Sequence, residues 1–165
     1  MPKTKPNDLS DLFTDTLKDI YFAEKQILRA LPKMAREAAA PELREAFEHH
    51  RQETEGQVDR IEQIFESMGK PARGKTCDAI LGIIEEAKEI MEDYKGADAL
   101  DAGLASSAQA VEHYEIARYG TLKSWAQQLG MTEAAKLLDE TLQQEIAADK
   151  LLTRLATANA NEKAA

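Results

Sequence analysis

One cysteine, Cys77, stands in 165 residues, so no disulfide can close within the chain and no thiolate cluster can hold a metal in one copy of it. A reducing compartment, the cytoplasm, is the natural setting. Glycine and proline are scarce too, at 8 and 5 residues, while hydrophobic residues make up 43 % and charged ones 31 %, the balance of a helical globule rather than a disordered chain. Cations are outnumbered: 21 Lys and Arg face 30 Asp and Glu, a formal charge of −9. Nucleic acid and anionic membrane surfaces are therefore disfavoured partners, because both need clustered positive charge. No run of apolar residues is long enough to span a bilayer, and the opening MPKTKPN lacks the apolar core of a signal peptide.

What remains is helix. Apolar residues recur at i, i+3, i+4 and i+7 in five segments, with ends set by caps and breakers. They are expected from about Asp8 to Ala38, Pro41 to Met68, Cys77 to Tyr94, Asp98 to Leu129 and Thr132 to Ala156. The first two and the last two form antiparallel hairpins. The loop Gly69 to Thr76 and the short third helix make a long crossover between them, the plan of a ferritin-like four-helix bundle. One all-α domain over 8–156 is expected, with flexible ends at 1–7 and 157–165.

The inner stripes can be projected from the apolar spacing, and their interruptions carry the chemistry. In the first helix Phe13, Leu17, Ile20, Tyr21, Leu28 and Leu31 face inward with Glu24 among them. The second places His50, Thr54 and Gln57 where apolar residues belong, with Glu53 on the flank. The fourth has Glu112 and Glu115 among Leu104, Ala108, Tyr119, Leu122 and Ala126. The last has Glu145 and Asp149 between Leu142 and Leu152. His49, His113 and the run Glu85, Glu86 and Glu89 point off the core, and Trp125 and Cys77 have no chemical role in this reading.

Residues equally far from a hairpin turn lie side by side, so register tests whether the acids meet. Glu24 precedes the first turn by about sixteen residues, and Glu53 and Gln57 follow it by about thirteen and seventeen. Glu112 and Glu115 precede Gly130 by 18 and 15, while Glu145 and Asp149 follow it by 15 and 19. On the same count His50 falls some six residues short of the common level, which suits a supporting role better than a ligand's. Carboxylates this close cannot be left bare: at about 5 Å and an effective dielectric near 20, each pair repels by roughly 3 kcal/mol. Protons or cations must neutralise them, and hard oxygen donors suit two iron or manganese ions. The pattern lacks any Glu-x-x-His, the motif that supplies nitrogen in the usual di-iron bundle.

Four stretches, DIYFAEKQILRALPKMA, HHRQETEGQVDRIEQIFE, AQAVEHYEIARYGTLKSWA and LLDETLQQEIAADKLLTRLA, resemble the YciE/YciF-type bacterial stress proteins of the ferritin-like superfamily. That resemblance implies a homodimeric bundle with a short fifth helix, a stress role and a ferroxidase-like reaction with oxygen or peroxide. By position it assigns a two-ion site to Glu24, Glu53, Glu112, Glu115, Glu145 and Asp149. His50, Gln57, Tyr21 and Tyr119 become its neighbours. Gln52 stands where such proteins commonly carry an acid, which leaves Glu53 as the acid of that turn. The competing expectation is a non-enzymatic dimeric helical module with a relict site.

Overall fold

The computed structural model describes residues 7–165, so the flexible segment expected at 1–7 lies, but for Asn7, outside the described residues. Helix α1 (Leu9–Glu37) starts on a reciprocal cap: Asp8 accepts from the Asp11 backbone N–H and Asp11 accepts from that of Asp8, each at 3.1 Å. Its buried stripe is Phe13, Leu17, Ile20, Tyr21 and Leu31, with Ile27 in the place expected for Leu28, which is only half-buried. Helix α2 (Pro41–Ser67) opens with proline in its first turn, where no backbone N–H is needed.

The crossover carries α3 (Asp78–Asp93), which packs on α1 and α4. Gly103 lets α3 and α4 approach closely, since a Cβ there would sit 2.6 Å from Ile90 Cγ2. Helices α4 (Leu100–Gln128) and α5 (Thr132–Leu155) make the most extensive helix contact in the protein. Gly130, at φ +71°, ends α4 in the left-handed conformation that favours glycine. Beyond Leu155 the chain continues as a π turn, Ala156–Ala160, and a short helix α6, Asn161–Ala164, where the sequence leads one to expect a frayed tail.

Two antiparallel hairpins joined by a long link thus form the expected all-helical bundle. Asp101 locks one hairpin to the other. It is buried at the start of α4, and its two carboxylate oxygens accept from the backbone N–H groups of Ala39 and Ala40, both at 2.8 Å. Asp101→Ala leaves those two N–H groups bare and is expected to cost about 2 kcal/mol in urea denaturation, whereas a change below about 0.5 kcal/mol would mean the turn finds other partners. Among the described residues, no helix is long and apolar enough to cross a membrane.

Candidate metal centre

The lock at Asp101 decides which side chains meet. Helices α2 and α4 both run away from that end, so His50, ten residues past Ala40, and Glu112, eleven past Asp101, stand at one height. Measured from the two opposite turns, His50 looked some six residues short; measured from one shared end, it is level. His50, Glu112, Glu115 and Glu145, all buried, bring one ligand atom apiece to within 4.8 Å of one another. His50 Nε2 lies 3.0 Å from Glu112 and 3.7 Å from Glu145, close enough for charge attraction although not aligned as a hydrogen bond. His50 therefore belongs to the cluster and is no mere neighbour of it.

Other predicted site residues surround these four. Glu24 is fully buried, accepts a short hydrogen bond from Tyr119 Oη and faces the charges of Glu115 and Glu145. Gln57 donates to Glu145 Oε1 at 2.5 Å and to Gln144 Oε1 at 3.2 Å, and Arg60 donates to the same Gln144 oxygen at 2.9 Å. Half-buried Glu53 sits 3.2 Å from His50 Nδ1 and 3.3 Å from His49 Nε2. A hydrogen bond from Nδ1 to Glu53 leaves Nε2 facing the cluster, the arrangement in which a carboxylate orients a ligating imidazole.

Two residues lie elsewhere. Asp149 meets His113 Nε2 at 3.0 Å and the Gln109 side chain at 3.2 Å, away from the four-residue group. One further turn along α5 from Glu145 has carried it off the inner stripe, since four residues advance a helix by somewhat more than a full rotation. Tyr21 donates to Glu62 at 2.8 Å instead of reaching the acids. Gln144 and Arg60, which brace Gln57, went unforeseen: both are polar, half-buried and off the inner stripe, so spacing carries no signal for them.

The electrostatics are those of a site short of positive charge. Burial, then the charge of Glu145, raises the Glu24 carboxyl to about 7. Burial also raises Glu112 and Glu115 well above the carboxylate range, reinforced by their neighbours Glu145 and Glu24. Burial works against the His50 cation, yet Glu112 and Glu53 outweigh it and raise the imidazole well above its ordinary value. Glu53 is held low by His50 and His49 in spite of partial burial. Among the described residues, seven buried side-chain atoms find no hydrogen-bond partner: both oxygens of Glu115, one each of Glu24, Gln57, Glu112 and Glu145, and His50 Nε2. Native interiors rarely leave so many polar atoms unmet, and all seven lie in or beside one cluster. As a donor set they are oxygen-rich with a single nitrogen, which fits hard or borderline metals such as iron and manganese.

Raised carboxyls set the direction of the pH response. Without metal, the folded chain keeps protons on Glu24 that the unfolded chain releases near 4.5, so that stabilisation is complete below 4.5 and disappears as pH climbs through about 7. The loss from this one group is about 3 kcal/mol, and Glu112, Glu115 and His50 act in the same direction. Chelated protein should melt progressively lower between about pH 5 and 8, while excess manganese(II) should flatten or reverse the trend, since it displaces those protons. Scanning calorimetry at stepped pH measures both curves, and parallel curves would refute the metal–proton exchange.

The profile of a family described as a domain of unknown function, DUF892, matches residues 8–165. The chain is 48 % identical over 157 residues to the protein YciF of Escherichia coli strain K12, spanning 94 % of this chain and 95 % of that protein. Among solved structures it is similar to the E. coli stress protein YciF, with a TM-score of 0.90 and 47 % identity over 94 % of this chain and 99 % of that one. It is similar also to YcfI of Rhodopseudomonas palustris, described provisionally as a structural protein, with a TM-score of 0.88 and 40 % identity over 93 % and 98 % of the two chains. A protein of Xanthomonas campestris pv. campestris shares the fold at a TM-score of 0.70 and 26 % identity, with 92 % of each chain covered.

Proposed function

We propose, from the premise that this chain belongs to the DUF892 family, that it is a stress-response protein whose bundle core holds a carboxylate-bridged pair of iron or manganese ions and reacts with oxygen or peroxide. The concentration of seven unpartnered polar atoms on one buried group of acids and a histidine carries this reading. The stress role comes from the relative described as a stress protein.

Glu24, His50, Glu112, Glu115 and Glu145 would hold the ions, with the Gln57 oxygen available beside Glu145. Such a pair supplies one-electron chemistry toward oxygen or peroxide, of which iron(II) oxidation is the ferroxidase form. The chain's own part is to position and to exclude water. Glu53 fixes the imidazole so that Nε2 faces inward, Tyr119 pins Glu24, and Gln57, braced by Gln144 and Arg60, pins Glu145. Asp149 has no part in this reading, engaged as it is with His113. We propose likewise that two copies of the chain pair as a homodimer, and sedimentation velocity at a monomer mass would overturn that part.

Anaerobic titration with iron(II), followed by oxygen, tests the proposal. Saturable binding and an oxygen-dependent absorbance change are expected in the native chain, and both should vanish in Glu112→Ala and Glu145→Ala. Unchanged binding in those variants sinks it.

One observation favours a second reading. The raised carboxyls and the His50 cation can neutralise the cluster with protons alone, as a relict site in a dimeric helical module would. That reading predicts stress protection undiminished by Glu112→Ala, which the metal reading forbids.

A further inference from the structure

Beside the metal centre lies a cavity of about 340 Å³ to which the four long helices and α3 all contribute. That volume is within the roughly 300–1,000 Å³ of small-molecule sites. Ile27, Leu31, Met34, Phe47, Val111 and Leu152, all nearly fully buried, face it, and Met91 of α3 adds to the apolar wall. The space exists because alanines stand where larger side chains would close it, among them Ala30, Ala46, Ala87, Ala108 and Ala148. Polar lining is of two kinds. His50, Glu53 and Glu112 form the end that adjoins the metal centre. Arg29, Lys33, Lys88 and Arg154, all exposed, supply a cationic rim, with exposed His49 nearby.

That rim is out of character for a chain of net charge −9. Arg29, Lys33 and Arg154 make no ion pair among the described residues, and Lys88 has only the exposed Glu85, at 3.5 Å. The acids that line the cavity offer an anion little repulsion, because Glu53 is paired with His49 and His50, and Glu112 with His50. A ligand that fits must be apolar along most of its length and negative at one end. Phe47 is the one phenyl ring in the lining, so long flexible walls of aliphatic side chains receive the ligand, as suits an alkyl chain.

We infer that this cavity binds an aliphatic carboxylate of medium chain length, with the carboxylate at Arg29 and Lys33, one turn apart on α1, and the alkyl chain running toward His50 and Glu112. The site goes beyond the metal reading and needs no metal to form, since its walls are protein throughout.

Calorimetric titration of the full chain with dodecanoate, below its micelle concentration and with chelator present, tests it. One saturable site per chain is expected. Ala148→Phe puts a ring into the cavity from a half-buried position and should abolish binding while helix content and melting of the chelated protein are retained; Ala46→Phe does the same from α2 should the first variant not fold. The double change Arg29→Gln and Lys33→Gln should weaken binding by roughly tenfold or more. Dodecyltrimethylammonium, equal in chain and opposite in charge, should bind far more weakly. Absence of saturable dodecanoate binding overturns the inference, including the case in which a second copy of the chain covers the cavity. So does binding that survives both alanine-to-phenylalanine changes, or that accepts the cationic probe equally. Repeating the titration with metal-loaded protein separates the two proposals: dodecanoate binding by a chain that takes up no metal refutes the metal centre and keeps this site, and the reverse pattern refutes this site alone.

Discussion

Glu115→Leu is expected to stabilise the metal-free protein while abolishing tight metal binding. Both oxygens of Glu115 are buried with no donor to meet them when the group is ionised, and burial together with Glu145, Glu24 and Glu112 raises its carboxyl well above the usual range. A buried polar group without a partner costs about 1–3 kcal/mol, and leucine of similar size removes that cost without opening a large void. In a chain of this length each 1 kcal/mol raises the melting temperature by about 2–4 °C, so a rise of several degrees in the presence of chelator is expected. Affinity for iron(II) or manganese(II) should fall by more than the roughly 10–100-fold typical of losing an outer-shell partner, because here an oxygen donor itself is removed. Calorimetry and metal titration on the same preparations give both numbers. A variant that is less stable than the native chain in chelator would mean the acid is a structural element held by its proton, and the metal proposal would lose its main support.

His50→Ala should do the opposite to stability. Among the described residues the imidazole is the one cation in direct contact with Glu112 and Glu145, at 3.0 and 3.7 Å, and it also faces Glu53 at 3.2 Å. Removing one partner of a buried ion pair typically costs about 3–5 kcal/mol, because the remaining charge is stranded in a medium that cannot solvate it. Against a total stability of about 5–15 kcal/mol, that loss endangers the fold. The Thr54 hydroxyl bonds to the backbone carbonyl of residue 50, so that contact survives the substitution and the effect reports the ring. Saturating manganese(II) should restore part of the loss, since a cation among the acids replaces the charge that the imidazole supplied. Pairing the change with Glu112→Ala should cost much less than the sum of the two, as contacting residues do. Urea denaturation measures all three, and a cost below about 1 kcal/mol for His50→Ala would show that protonated carboxyls alone satisfy the cluster.

The two substitutions differ in sign because the site pairs a surplus of acid with a single base. Removing an acid relieves it; removing the base exposes it. A metal centre shows this asymmetry when its ions are withdrawn, and a purely structural polar network, evolved to satisfy itself, does not.

Much of this was legible in the sequence. Amphipathic spacing located five helices to within a few residues, because helix ends are set by local chemistry: the Asp8 cap, Pro41 in a first turn, and the left-handed Gly130. Glu24, Glu112, Glu115 and Glu145 stood out because a carboxylate on an apolar stripe interrupts a period of 3.6, and all four are buried. The meeting of Glu112 and Glu115 with Glu145 inside the second hairpin also followed from counting residues to Gly130.

What the sequence could not provide is the offset between hairpins. Counting from a turn fixes the height of a residue relative to its own hairpin partner only, and the long crossover transmits no register. Asp101, bonded to Ala39 and Ala40 across that gap, sets the offset, and with it the level of His50. Side-chain reach is the other tertiary decision: whether Asp149 turns inward or binds His113, and whether Tyr21 meets Glu24 or Glu62, depends on which partner a neighbouring helix presents. The sequence by itself therefore determined the helices, the bundle and the acids at its centre, since all of these are periodic or local. Only the tertiary structure decided that a histidine completes the cluster, that an apolar cavity adjoins it, and that cations from α1, α3 and α5 line that cavity, because each depends on how separate helices are set against one another.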